Sequence, residues 1–221
     1  MTTPYYDEDG IVIYHGDALA VLPSIAAAGV VLLDPPYSMV PNSVRGRDDG
    51  AAGTSGAPVM LLTEVLRHTR RLLPTGGVAG LVCDWRRLPD VSYLATLSGL
   101  RIATCIAWTR NSPGTGGLLR SAWDPMLVLS VGSPSAKDQA AIPNTVHAEK
   151  PRSDHPYEKP VALWSRLVDR VLPTTALDPF AGTGASAIAS RAAGHRWIGI
   201  EVDERYCEIA AKRLEQGVLA L

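Results

Sequence analysis

Short apolar runs separated by polar, glycine-bearing stretches set the rhythm of this chain. Residues 11–15, 30–33, 78–83, 102–108, 126–131, 175–177 and 197–200 are rich in Val, Ile and Leu and read as strands. Between them, residues 58–73, 185–193 and 204–215 carry the three-to-four spacing of amphipathic helices, as does 158–172. Asp17 is placed to start a helix over 18–28, and a short helix fits 89–98. Strands alternating with helices predict an α/β fold with a doubly wound, mostly parallel sheet and one antiparallel edge strand. Residues 102–108 and 126–131 are expected to pair around a Gly/Arg loop at 109–124. No internal repeat or linker appears, so residues 1–221 read as one domain. The polar, Gly-rich stretch 38–56 is too long for an ordinary connection and is predicted to be a mobile loop. Residues 133–154, rich in Pro, Ser and Ala, read as weakly structured.

Composition narrows the class. With 221 residues, 46% hydrophobic and 19% charged, the chain has enough apolar content for a core that needs neither disulfides nor a structural metal. Cys83, Cys105 and Cys207 lie far apart with no CxxC, and the five histidines show no metal-ligand spacing, so no metal site and a reducing, cytoplasmic setting are expected. The first residues are acidic rather than signal-like, and no apolar run reaches membrane-spanning length. A net charge of −1 gives no overall attraction to a polyanion, so such a partner must meet a local patch. The stretch from Arg101 to Arg120 has three arginines and no acid, and is the best candidate.

The most informative chemistry is Asp34-Pro35-Pro36-Tyr37, directly after the strand at 30–33. Open α/β sheets bind ligands at the carboxyl ends of their strands, which is where Asp34 falls. The prolines stiffen the turn and leave its carbonyls as acceptors, and Tyr37 adds a flat ring. A carboxylate, a carbonyl and an aromatic plate suit the exocyclic amine of a planar heterocycle.

A second constellation runs from Asp178 through Phe180, Gly182 and Gly184 to Glu201. It reads as a strand, a glycine turn and a helix start, followed by an acid at the end of the next strand. Backbone N–H groups and a ribose-binding carboxylate are the natural content of such a turn. Gly182, Gly184 and Ala187 satisfy a loose dinucleotide fingerprint, so a nicotinamide-dependent oxidoreductase is one reading. Asp178 opposes it, since a carboxylate before the turn repels a pyrophosphate and attracts an ammonium or sulfonium. S-adenosylmethionine carries both cations and a ribose.

Together these sites resemble the amino-group DNA methyltransferases, the adenine-N6 and cytosine-N4 enzymes, with the catalytic motif before the cofactor turn as in the family's β-group. Gly16-Asp17-Ala18-Leu19 and His155-Pro156-Tyr157-Glu158-Lys159-Pro160 also resemble family segments. The resemblance implies a Rossmann-like methyltransferase fold and S-adenosylmethionine as cofactor, bound by Asp17, Lys159, Asp178, Phe180, Gly182, Gly184 and Glu201. It implies Asp34, Pro35, Pro36 and Tyr37 as the catalytic motif and double-stranded DNA as partner. Homodimerisation is a family-level expectation. Arg45, Arg47, Arg110 and Arg120 are the candidate DNA contacts. Only residues 132–154 are available as a target-recognition insert, which argues against a long recognition sequence.

Adenine N6 is the favoured target, because cytosine-N4 members more often carry Ser at the position of Asp34. Carbon-5 cytosine methylation uses a cysteine nucleophile, usually after proline, and no cysteine here follows proline. Cytosine N4 and a catalytically silent DNA-binding protein are the alternatives.

Overall fold

The computed structural model describes residues 3–36, 57–114, 118–138, 140–151 and 157–218. Tyr37, Arg45, Arg47, His155, Pro156 and the expected loop at 38–56 lie outside the described residues.

Among the described residues nine strands form one sheet: β1 (Tyr6–Glu8), β2 (Ile11–His15), β3 (Val30–Leu33), β4 (Val78–Val82), β5 (Arg101–Thr109), β6 (Trp123–Ser130), β7 (Thr145–His147), β8 (Thr175–Asp178) and β9 (Arg196–Glu201). Their spatial order is β1-β2-β9-β8-β3-β4-β6-β5-β7. β2, β9, β8, β3 and β4 are mutually parallel, and β1 is the antiparallel edge strand. β6 also runs antiparallel, inside the sheet between β4 and β5, as the predicted pairing of residues 102–108 with 126–131 requires.

The period-2 alternation of the strands sorts side chains onto two faces. Val30 and Leu32 join a core with Leu163, Trp164, Ala189 and Leu214, from helices α4 (Val161–Val168), α5 (Ala185–Ala192) and α6 (Glu204–Val218). Val31 and Leu33 point the other way, into a core with Val21, Leu66 and Ala95 from α1 (Ala18–Val21), α2 (Ala57–Leu72) and α3 (Leu88–Leu97). Every residue of β3 and β4 is therefore buried, which is why those runs are continuously apolar.

Some boundaries differ from the sequence expectation. The helix expected over 18–28 stops at Val21 and tightens into a 3-10 turn at Leu22–Ser24, where Pro23 supplies no N–H for a continuing α-helix. The helix expected from residue 158 starts at Val161, because Pro160 keeps the residues before it extended. β7 forms inside the stretch expected to be irregular, by pairing in parallel with Ala107–Thr109 of β5. No helix among the described residues is long and apolar enough to cross a membrane, and none of their His, Cys, Asp and Glu groups is clustered to hold a metal.

Candidate active site

The site forms where the strand order reverses. From β8 the chain moves through α5 to β9 on one side, and from β3 through α2 to β4 on the other. The adjacent carboxyl ends of β8 and β3 are thus a topological switch point, where open α/β sheets leave a ligand crevice. Asp178 ends β8 and Asp34 follows β3, so each carboxylate stands at one lip. Neighbouring β9 ends in Glu201, and β2 leads into Asp17, which caps α1 by accepting the N–H groups of Leu19 and Ala20.

A cavity of about 380 Å³ opens there, and five carboxylates line it: Asp17, Asp34, Glu158, Asp178 and Glu201. Lys159 is the one cationic side chain among its described lining residues. Phe180, Gly182, Pro35 and Pro36 line it as well. A second cavity of about 440 Å³ lies across the two prolines, where Leu62, Leu81, Val91 and Leu94 make it mainly apolar beside the charged Asp84, Arg87 and Asp90. The acidic cavity has the chemistry.

Its carboxylates have distinct partners. Asp178 is buried; it accepts the N–H of Phe180 at 2.9 Å and a hydrogen bond from the Ser186 hydroxyl. The Trp197 Nε1–H donates to the same Ser186 oxygen at 3.2 Å. The Asp178 carboxyl is pushed up to about 7, chiefly by burial and also by the charges of Asp34 and Glu201, against the downward pull of the two hydrogen bonds. Glu201 accepts the N–H of Gly182 at 2.8 Å with one oxygen and that of Asp203 at 2.9 Å with the other. The turn between them needs glycine, since Gly182 and Gly184 have φ of 50° and 79°.

Asp34 is held differently. The Lys159 ammonium donates to its Oδ2 at 2.7 Å and to the Tyr157 carbonyl at 2.9 Å. The Oδ1 of Asp34 is buried without a hydrogen-bond partner among the described residues. Lys159, expected among the cofactor residues, thus lines their cavity while bonded to the carboxylate of the Asp-Pro-Pro turn. Next to it, the buried Glu158 accepts from Arg213 at 2.9 Å, and Arg213 donates to the Thr183 carbonyl at 2.8 Å, tying α6 to the glycine turn. Arg213 was not visible as a site residue, because it acts through contacts between distant segments, and the sequence did not show the partners of Glu158 and Trp197.

The candidate DNA-facing arginines are not equivalent. Arg110 donates to Asp124 at 2.7 Å and stacks over the Trp108 ring at 5.2 Å, so its charge is already matched. Arg120 is exposed in the β5–β6 connection, which rises from the same sheet edge as Asp34. Arg101 opens β5 at the opposite edge. Burial pushes the Cys83 and Cys207 thiols up to about 12, which keeps both protonated and unsuited to nucleophilic attack.

Known proteins resemble this chain over most of its length. Residues 29–212 match the family model described as DNA methylase, the N6/N4 methylases. The DNA adenine methyltransferase YhdJ of Escherichia coli K12 is 28% identical over 92% of this chain and 82% of its own length. Among solved structures, the M1.HpyAVI complex with S-adenosylmethionine aligns with a TM-score of 0.72 at 20% identity, covering 91% of this chain and 98% of that one. The cytosine-N4-specific PvuII DNA methyltransferase aligns at 0.77 with 15% identity, covering 96% and 89%. At those identities the two structures establish the shared fold.

Proposed function

We propose that this chain, which belongs to the amino-group DNA methylase family and is a DNA methyltransferase, transfers the methyl group of S-adenosylmethionine to the N6 amino group of adenine in double-stranded DNA. What supports this most is the acidic cavity that Asp34 shares with Asp178 and Glu201. With Asp34 paired to Lys159 and Glu158 to Arg213, the carboxylates of Asp17 and Glu201, with Asp178 when ionised, leave the described lining net negative, which favours a ligand with positive charge and disfavours the pyrophosphate of a nicotinamide dinucleotide. The adenine choice is supported by Asp34 itself, and by the likeness, over 92% of this chain, to an adenine methyltransferase.

Asp17, Phe180, Gly182, Gly184 and Glu201 are the proposed cofactor residues, together with Asp178. Glu201 already holds the glycine turn, yet each carboxylate oxygen has a second lone pair for a ribose hydroxyl. Asp178 shapes the turn through Phe180 and Ser186 and adds negative charge when ionised. When bound, S-adenosylmethionine supplies an electrophilic methyl group on its sulfonium.

Asp34 and the Pro35 carbonyl accept the two N–H bonds of the target amine. This favours a pyramidal nitrogen, localises its lone pair and stabilises the positive charge that develops there. Tyr37, next in sequence, offers a ring on which a flipped-out base stacks. Asp34 acts as acceptor and orienter, with the amine proton lost after transfer. The test is incubation of unmethylated DNA with the protein and tritiated S-adenosylmethionine, then digestion to nucleosides. Label in N6-methyldeoxyadenosine is expected. Label in N4-methyldeoxycytidine would correct the base, and label on neither would refute the reading.

A further inference from the structure

Lys159 and Asp34 are joined at 2.7 Å although 125 residues separate them, and their side chains are only 5% and 16% exposed. Burying this pair is costly unless the geometry is good and further hydrogen bonds support it. The Tyr157 carbonyl is such a support: it accepts from the same ammonium at 2.9 Å and fixes the nitrogen between two acceptors. Pro160 keeps Lys159 off the start of α4, in extended chain from which the side chain reaches across the cavity. Asp34, by contrast, sits just past the end of β3, where no helix or ladder bond orients its carboxylate.

The pairing leaves the two carboxylate oxygens unequal. Oδ2 is occupied by the lysine, whereas Oδ1 is enclosed with no donor among the described residues. An enclosed acceptor of that kind is destabilising until a donor arrives. Without the lysine, the carboxylate would also face the acids Asp178 and Glu201 uncompensated, and would turn away from them.

We propose that Lys159 is a positioning residue for methyl transfer: it holds Oδ2 of Asp34 so that Oδ1 is the oxygen that receives the amine N–H. The cation also keeps the carboxylate fixed between turnovers, so no reorganisation is needed when the base enters. This rests on the reaction proposed above, and it gives Lys159 a role in the chemical step rather than in cofactor affinity.

The experiment measures two quantities in wild type, Lys159→Met and Lys159→Arg. Calorimetry gives the Kd for S-adenosylmethionine, and single-turnover transfer of tritiated methyl to unmethylated DNA at saturating cofactor gives the rate of the chemical step. Lys159→Met should lower that rate by about 10²-fold, as for loss of a preorganised charged group, with cofactor Kd changed by less than about threefold. Lys159→Arg, which keeps the charge, should recover at least about tenfold of the loss. Should Lys159→Met fail to fold, Lys159→Arg alone must still slow the chemical step without weakening the cofactor. A wild-type rate in Lys159→Met overturns the inference alone. So does a rise in Kd with a normal rate at saturation, which would make Lys159 a cofactor ligand. A wild-type protein that labels no DNA overturns the reaction and the inference with it.

Discussion

The backbone N–H of Gly16 donates to the carbonyl of Glu201 at 2.8 Å, joining the ends of two strands from opposite ends of the chain. It continues a parallel ladder in which Ile11 faces Trp197 and His15 faces Glu201. The cofactor half of the fold is thus closed by β2, whose parallel neighbour β9 follows it by most of the sequence. This is the physical meaning of finding the Asp-Pro-Pro turn before the glycine turn. Asp17 reaches the same cavity as Gly182 only because β2 and β9 lie side by side.

The carboxyl of Asp178, pushed up to about 7 by burial, makes stability depend on pH. In the unfolded chain it ionises near its ordinary value of 3.8, so between about 4 and 7 the folded state holds the extra proton. Stability from this group is therefore present at the acid end and lost as pH rises through 7, by an amount on the order of a few kcal/mol. Urea denaturation of the cofactor-free protein at pH 5 and pH 7.5 should show a fall that Asp178→Asn reduces. An identical pH dependence in the variant would contradict the assignment.

Gly199 faces the indole of its neighbour. A Cβ there would lie 1.9 Å from the Trp197 ring, which is fully buried. Gly199→Ala should displace the ring and break the Trp197–Ser186–Asp178 hydrogen-bond chain, destabilising the protein by about 1–3 kcal/mol. Thermal melts with and without S-adenosylmethionine would check both effects, and an unchanged melting temperature would show that the ring has room to move.

Glu201→Ala removes the acceptor of the Gly182 N–H and the proposed ribose contact. Loss of a charged hydrogen-bond partner costs about 1.5–3 kcal/mol, so S-adenosylmethionine should bind about 10- to 100-fold more weakly. Calorimetry should also detect no binding of nicotinamide dinucleotide by wild type. Tight binding of the dinucleotide would reverse the choice of cofactor.

Much of this arrangement was legible in the sequence, for a clear physical reason. Buried parallel strands demand continuous apolar runs, so 30–33 and 78–83 announced themselves, and prolines and glycines marked where those runs had to stop. What stayed hidden depends on contacts rather than on local pattern. β1 and β7 are three residues each, too short and polar for a period to register, and they exist because β2 and β5 offer open edges. The Lys159–Asp34 pair, the Arg213–Glu158 tie and the Trp197–Ser186 bond each join segments that only the fold brings together. Lys159 had its cavity foreseen but not its partner.

The most direct measurement is single-turnover methyl transfer by wild type and Asp34→Ala, each preloaded with tritiated S-adenosylmethionine and mixed with unmethylated DNA. Because Asp34 is assigned to the target amine, its loss should slow labelling at least about 10²- to 10³-fold while cofactor affinity changes little. Wild-type labelling by Asp34→Ala, or loss of cofactor binding sufficient to explain its inactivity, would contradict the assignment.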